Sequence, residues 1–171
     1  MHWIYDRKKD NSARYTLSPR ADNYLLCFGI NPSTASPDKL DNTVKSVERI
    51  AKRHDFETFM MLNIYPQKAT DPNGLHSHID KKLHEKNIFY IEKYFRENKQ
   101  KKILAAWGTL ITKRPYLKEC LRDIYNISKK YNCTWFHIGN PSLSGHPHHP
   151  LYLSNKEMMK NFDIDSYISK L

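Results

Sequence analysis

Four short stretches of this sequence, each closing an apolar run, carry the residue types that can place a water, read the edge of a heterocycle or move a proton. The first is GINPSTA, residues 29–35, where Gly29 permits close backbone approach and Pro32 fixes a turn. Asn31, Ser33 and Thr34 offer hydrogen bonds to a ligand or to an attacking water, or equally to the backbone of a structural Asx or Ser turn. The second is LNIYP, where the carboxamide of Asn63 can pair with a base edge and the ring of Tyr65 can stack, or Asn63 can cap loop backbone groups. The third, Trp107-Gly108, reads as core with no catalytic role. The fourth runs from Gly139-Asn140-Pro141 to His146-Pro147-His148-His149-Pro150-Leu151, and its imidazoles can donate to a developing anion or act as acid or base near neutral pH.

Charged candidates surround these. Asp38, Asp41 and Asp71 lie in loops; Asp41 reads as a helix cap, and its closeness to GINPSTA also makes it a candidate general base. Arg14 and Arg20 flank RYTLSPR and can grip phosphate as guanidinium forks do, or serve as surface charge. Three histidines within four positions suit a zinc or nickel site, but the intervening prolines and the lack of Cys-x-x-Cys, His-x-x-x-His or Asp-x-His companions argue against one. We therefore expect no metal and no cofactor.

The elements that must position these residues follow from periodicity. NYLLCFGI (23–30), FETFMMLNIY (56–65), KKILAAWG (101–108) and CTWFHIG (133–139) are near-continuous apolar runs, as strands buried on both faces would be. Between them, TVKSVERIAKRHD (43–55), residues 79–98 and PYLKECLRDIYNISKKY (115–131) repeat apolar residues at helical spacing. Residues 155–171 suit a closing helix with Ser154 as a possible N-cap, and residues 1–20 a strand or hairpin extension. PQKATDPNGLHSH (66–78) is rich in turn formers and reads as a loop. Alternating strands and helices predict one α/β domain over 1–171, with its core in 21–171 and a mostly parallel four-stranded central sheet covered on both faces. Ligands bind such sheets beyond the carboxyl ends of the strands, where all four stretches fall.

Composition narrows the partners. The chain of 171 residues carries 28 Lys plus Arg against 18 Asp plus Glu, a formal net charge of +10, which favours polyanionic partners or reflects only a Lys-rich surface. Cys27, Cys120 and Cys133 are far apart and odd in number, as in a protein of a reducing compartment. The N-terminus MHWIYDRKKD has no apolar signal core and no run spans a bilayer, so a cytoplasmic protein without membrane contact is expected.

With RYTLSPR, GINPSTA and DNTV, LNIYPQKATDP, AAWG and GHPHHPLYL in this order, the sequence resembles the bacterial and phage family called domain-of-unknown-function family 1643 (DUF1643) over nearly its whole length. More distantly it is similar to the uracil-DNA glycosylase superfamily, whose members carry a Gly-x-Asn-Pro-type motif after the first strand and a His-Pro-type motif in a late loop. That resemblance implies a three-layer α/β/α sandwich in which Asn31 places the hydrolytic water, Asn63 reads the pyrimidine edge and His149 stabilises the departing base. GINPSTA lacks the second glycine expected after Asn-Pro, and GHPHHPLYL lacks the serine typical after His-Pro.

Three functions are consistent with these residues: a glycosylase-like hydrolase or transferase acting at an N-glycosidic bond, a non-catalytic module that binds nucleic acid or a nucleotide, and a metal-dependent enzyme built on His146, His148 and His149. The first predicts a pocket of Gly29, Asn31, Pro32, Ser33, Thr34, Asp41, Asn63, Tyr65, Asn140, His146 and His149, with Arg14 and Arg20 on phosphate.

Overall fold

The computed structural model describes residues 2–154 and 156–171, so Met1 and Asn155 lie outside it. The chain opens with two short strands, β1 (Trp3–Ile4) and β2 (Ser18–Pro19), paired antiparallel as the expected hairpin. The second arm of that hairpin continues along the sheet proper, which it reaches at β4 (Thr58–Asn63), after β3 (Tyr24–Gly29) and α1 (Asn42–Arg53). Leu17 and Met61 exchange backbone hydrogen bonds of 3.1 and 2.9 Å, Arg14 N–H donates to Pro66 at 3.0 Å, and Lys68 N–H donates to Ser12 at 2.9 Å. An edge that would otherwise present unpaired backbone is thus covered, and the same pairing carries Arg14 past the carboxyl end of β4.

After β4 come α2 (Lys81–Glu97), β5 (Lys102–Ala105), α3 (Pro115–Lys130), β6 (Thr134–Ile138), β7 (Met159–Asn161) and α4 (Ile164–Lys170). The sheet has the order β4-β3-β5-β6-β7, with the first four parallel and β7 antiparallel to β6. The sheet is therefore mixed and five-stranded, where four strands were expected. Residues 155–171 do not form one helix: Met159–Asn161 pair with Phe136–Ile138, and the closing helix begins only at Ile164, capped by Asp163 and not by Ser154. A three-residue edge strand with Lys160 and Asn161 exposed leaves no periodicity to read.

The four parallel strands are mainly apolar because both faces of the sheet are covered there. On β3, Leu25 and Cys27 join Val44, Val47, Ile50 and Ala51 of α1 in one core. Leu26 and Phe28 join Leu83, Ile91 and Phe95 of α2 and Leu117, Leu121 and Ile124 of α3 in the other. Alternation at period two sends successive side chains to opposite cores, each buried Leu, Ile or Phe contributing about 1.5–3 kcal/mol. Helix starts follow chemistry visible in the chain: Asp41 accepts from Val44 N–H, Asp80 accepts from Leu83 N–H, and Pro115 occupies the first turn of α3. The three cysteines are unpaired, two of them buried. Among the described residues no helix is long and apolar enough to cross a membrane.

From β3 the chain moves outward to β4 and then returns to β5 on the other side of β3. Such a reversal leaves a crevice between the carboxyl ends of β3 and β5.

Candidate functional site

A cavity of about 160 Å³ opens at that crevice. Gly29 and Asn31 at the end of β3, Asn63 at the end of β4, Trp107 after β5, Asp41 at the head of α1, and Arg14 and His149 from the two ends of the chain all line it. Larger cavities of about 370 and 390 Å³ flank the His146 loop. The smaller one is the better candidate because it gathers polar groups from five separate segments at the switch point of the sheet.

Asn63 is 1 % exposed, and its carbonyl accepts from Asn87 Nδ2 at 2.9 Å, so its position is set from α2 below. Its side-chain Nδ2 has no hydrogen-bond partner in the protein. A Cβ at position 29 would lie 3.4 Å from Asn63 Oδ1, so the end of β3 packs directly against the Asn63 carboxamide. Asn31 Nδ2 donates to the carbonyls of Pro32, Gln67 and Ala69, fastening the GINPSTA loop to the loop after β4. That leaves Oδ1 as the acceptor Asn31 offers to a ligand or water.

Arg14 is 2 % exposed; its Nη1 donates to Ala35 at 2.8 Å, and its Nε has no partner. Burial lowers its pKa to about 10, with Asp41 opposing the shift, so the guanidinium stays charged at neutral pH. Asp41 caps α1 through a 2.9 Å hydrogen bond from Val44 N–H and also lines the cavity.

His149 is presented by the turn that follows β5. Gly108 takes φ +62° and its N–H donates to Pro147 at 3.0 Å, pinning the histidine loop to the strand end. Trp107 is buried and its Nε1 donates to Tyr167, in keeping with an indole of the core, but it also forms part of the cavity wall, where the reading as core does not place it. His149 Nδ1 accepts from Leu151 N–H at 3.3 Å, so the neutral ring carries its proton on Nε2. Burial pushes its pKa below the usual histidine value, Asp41 partly offsetting this, and the ring is neutral at pH 7.

Of the remaining expected site residues, one lines the cavity and the others lie elsewhere. Ser33 lines the cavity; Pro32 is buried in the loop, where its carbonyl accepts from Ala69 N–H, and Thr34 is exposed. Tyr65 is fully buried, its hydroxyl bonded to His76 and to Asp80 N–H and its ring against Tyr116, so it backs the site from the core. Asn140 is exposed and accepts from Lys160. His146 Nδ1 meets the Tyr167 hydroxyl at 2.8 Å and borders the neighbouring cavities. Arg20 is exposed beside β1, its N–H on His2, and does not join Arg14. Asp71 caps a short 3-10 turn, and Asp38 is exposed. Among the described residues no three His, Cys, Asp or Glu side chains are grouped to hold a metal ion.

Asn87 was not anticipated. Its signal was present, since it falls at four-residue spacing between Leu83 and Ile91 on the apolar stripe of α2, where a carboxamide needs a buried partner.

An α/β domain with a polar cavity at the switch point of its sheet is thus defined. The model of the DUF1643 family, described as a protein of unknown function, matches residues 14–151, and the chain belongs to that family. The matched span begins at Arg14 and closes just after His149, taking in every residue that lines the cavity. No curated protein and no solved structure matches the chain.

Proposed function

We propose that the cavity holds a nucleobase, in a nucleotide or a nucleic acid, and that its chemistry is hydrolysis at the N-glycosidic bond on a three-layer, uracil-DNA-glycosylase-like α/β/α scaffold. The reading rests on one observation: Asn31, Asp41, Asn63 and His149, drawn from four separate segments, line the same cavity at the carboxyl ends of the strands. In this reaction the C–N bond breaks with its electron pair passing to the base, while the sugar carbon gains positive charge. His149, neutral with its proton on Nε2, donates to the base as negative charge develops there. Asn31 Oδ1 accepts from the attacking water, Asp41 takes the water's proton as the new C–O bond forms, and Asn63 aligns the base edge. A duplex substrate would require the base to be flipped into the cavity. The formal charge of +10 suits a phosphate-bearing partner in the cytoplasm.

The commitment of Asn31 Nδ2 to three loop carbonyls favours a second reading, in which the same cavity binds a base without cleaving it. Oligonucleotides carrying uracil, hypoxanthine or modified pyrimidines, followed by mass spectrometry for free base and abasic sites, separate the two. Release that is lost in both Asn31→Ala and His149→Ala supports hydrolysis. Binding with no release leaves the binding module.

A further inference from the structure

Arg14 is an unusual residue to find in this wall. It is 2 % exposed, yet it has no ion-pair partner among the described residues and makes a single side-chain hydrogen bond, from Nη1 to the Ala35 carbonyl. The Nε–H and Nη2 edge of the guanidinium, which carries two parallel donors, makes no hydrogen bond within the protein, and Nε is wholly buried. Asn63 Nδ2, in the same wall, is a further buried donor without a partner. Donors buried without partners cost about 1–3 kcal/mol each, and a fold retains them where something else supplies the acceptor.

A guanidinium edge of this kind matches two acceptor atoms lying side by side. Carboxylates and phosphates have that pattern, as do some bases. Asp41 places a carboxylate in the same wall, so the charged side chains there, Arg14 and Asp41, sum to zero and the site is balanced for a neutral ligand. Among neutral bases, guanine and hypoxanthine present O6 and N7 side by side, and cytosine presents O2 and N3. Uracil alternates acceptor, donor and acceptor, and adenine sets an amino donor beside N7, so each would turn a donor toward the fork.

Resting on the base-binding reading, we infer that Arg14 is a specificity residue that selects bases with two adjacent acceptors, guanine, hypoxanthine or cytosine, over uracil and adenine. The fork is held in place by the Nη1 bond to Ala35 and by the backbone pairing of Arg14 with Pro66, both independent of ligand.

The test is titration of the full chain with guanosine, inosine, cytidine, uridine, adenosine and benzoate, read by calorimetry and by quenching of tryptophan fluorescence, Trp107 being in the cavity wall. The expected result is that guanosine, inosine or cytidine binds roughly tenfold or more tightly than uridine and adenosine, the discrimination a bidentate arginine contact gives. Arg14→Lys, which keeps the charge and loses the fork, should remove that preference, bringing guanosine, inosine and cytidine to within about twofold of uridine. Uridine or adenosine binding as tightly as the best of the other three overturns the role of Arg14 while the base reading stands. Benzoate exceeding every nucleoside overturns the base reading and leaves the fork as a carboxylate site. Absence of binding by all six overturns both. The wild-type ranking decides the matter even if the Arg14 variant fails to fold.

Discussion

Replacing Asn87 by Leu keeps the branched shape of the side chain and removes both of its polar atoms. Nδ2 donates to the Asn63 carbonyl at 2.9 Å and, less well, to that of Ile64 at 3.4 Å, in a place where Asn87 is 0 % exposed and water cannot substitute. Loss of the shorter bond leaves a buried carbonyl without this donor, a cost of about 1–3 kcal/mol, and the longer bond adds less. Against this, Asn87 Oδ1 is itself buried without a partner, so its removal returns up to about 1 kcal/mol. The net expectation is a destabilisation of about 1–2 kcal/mol, or a fall in Tm of roughly 2–8 °C for a chain of this size. Far-UV circular dichroism on heating measures it. Base binding should weaken as well, because Asn63 loses its support. Ser128→Ala serves as the comparison, since it removes the acceptor of Trp135 Nε1 in the core beside α3 and should lower Tm without touching the cavity. A Tm for Asn87→Leu equal to or above the wild type would refute the reasoning, as would equal loss of binding in both variants.

Two other outcomes follow from the same geometry. Gly108→Ala places a Cβ at φ +62° with ordinary contacts of 3.6 and 3.7 Å to His149, so strain of about 1–2 kcal/mol, not a clash, should lower Tm and loosen the histidine loop. Gly145→Ala, at φ +78° with open space around it, should cost similar stability in thermal melts but leave base binding intact; loss of binding in both variants would contradict the pinning role of Gly108. His54, His137, His146 and His149 all have pKa values depressed by burial. The unfolded chain therefore binds their protons at higher pH than the native one, so stability is full above about 6.5 and falls as pH drops toward the native values. Melting at pH 7.5, 6.5 and 5.5 should show Tm declining with acid, and a rise would contradict it.

The strands and helices that carry the site were legible because both faces of the sheet are buried and each helix has a single apolar stripe. NYLLCFGI and FETFMMLNIY mark β3 and β4 to within two residues at either end, and Asp41 caps α1 as its position in the sequence indicates. Asn31, Asp41, Asn63 and His149 were legible for the same reason, each following an apolar run that had to be a strand or opening a helix beside one. Tyr65 and His146 are different. They sit two and three residues from cavity-lining positions, but the direction of a side chain past a strand end is set by tertiary partners, His76 and Asp80 for Tyr65 and Tyr167 for His146, that no local pattern encodes. The same holds for β7, whose pairing with β6 brings together residues 136 and 161 through backbone atoms common to every sequence.

Arg14 shows how a residue outside the α/β repeat enters such a site. It reaches the cavity only because the hairpin arm of residues 12–18 runs antiparallel along β4, with Ala13 facing Gln67 and Leu17 facing Met61. Covering an exposed sheet edge is reason enough for that arm, and Leu17, buried against the α1 core, shows the arm is held by packing as well as by pairing. Because the arm overshoots β4, one residue of it must land beside the carboxyl ends of the strands, where helix starts and loop amides already concentrate polar groups. Arg14 Nε, Asn63 Nδ2 and Asn87 Oδ1, three of the buried polar atoms without partners among the described residues, fall in this wall or directly behind it. The other three, Asn23 Oδ1, His84 Nδ1 and His137 Nδ1, belong to residues that do not line the cavity, so it is the convergence of two unpartnered donors, Arg14 Nε and Asn63 Nδ2, on one wall that bears on a ligand.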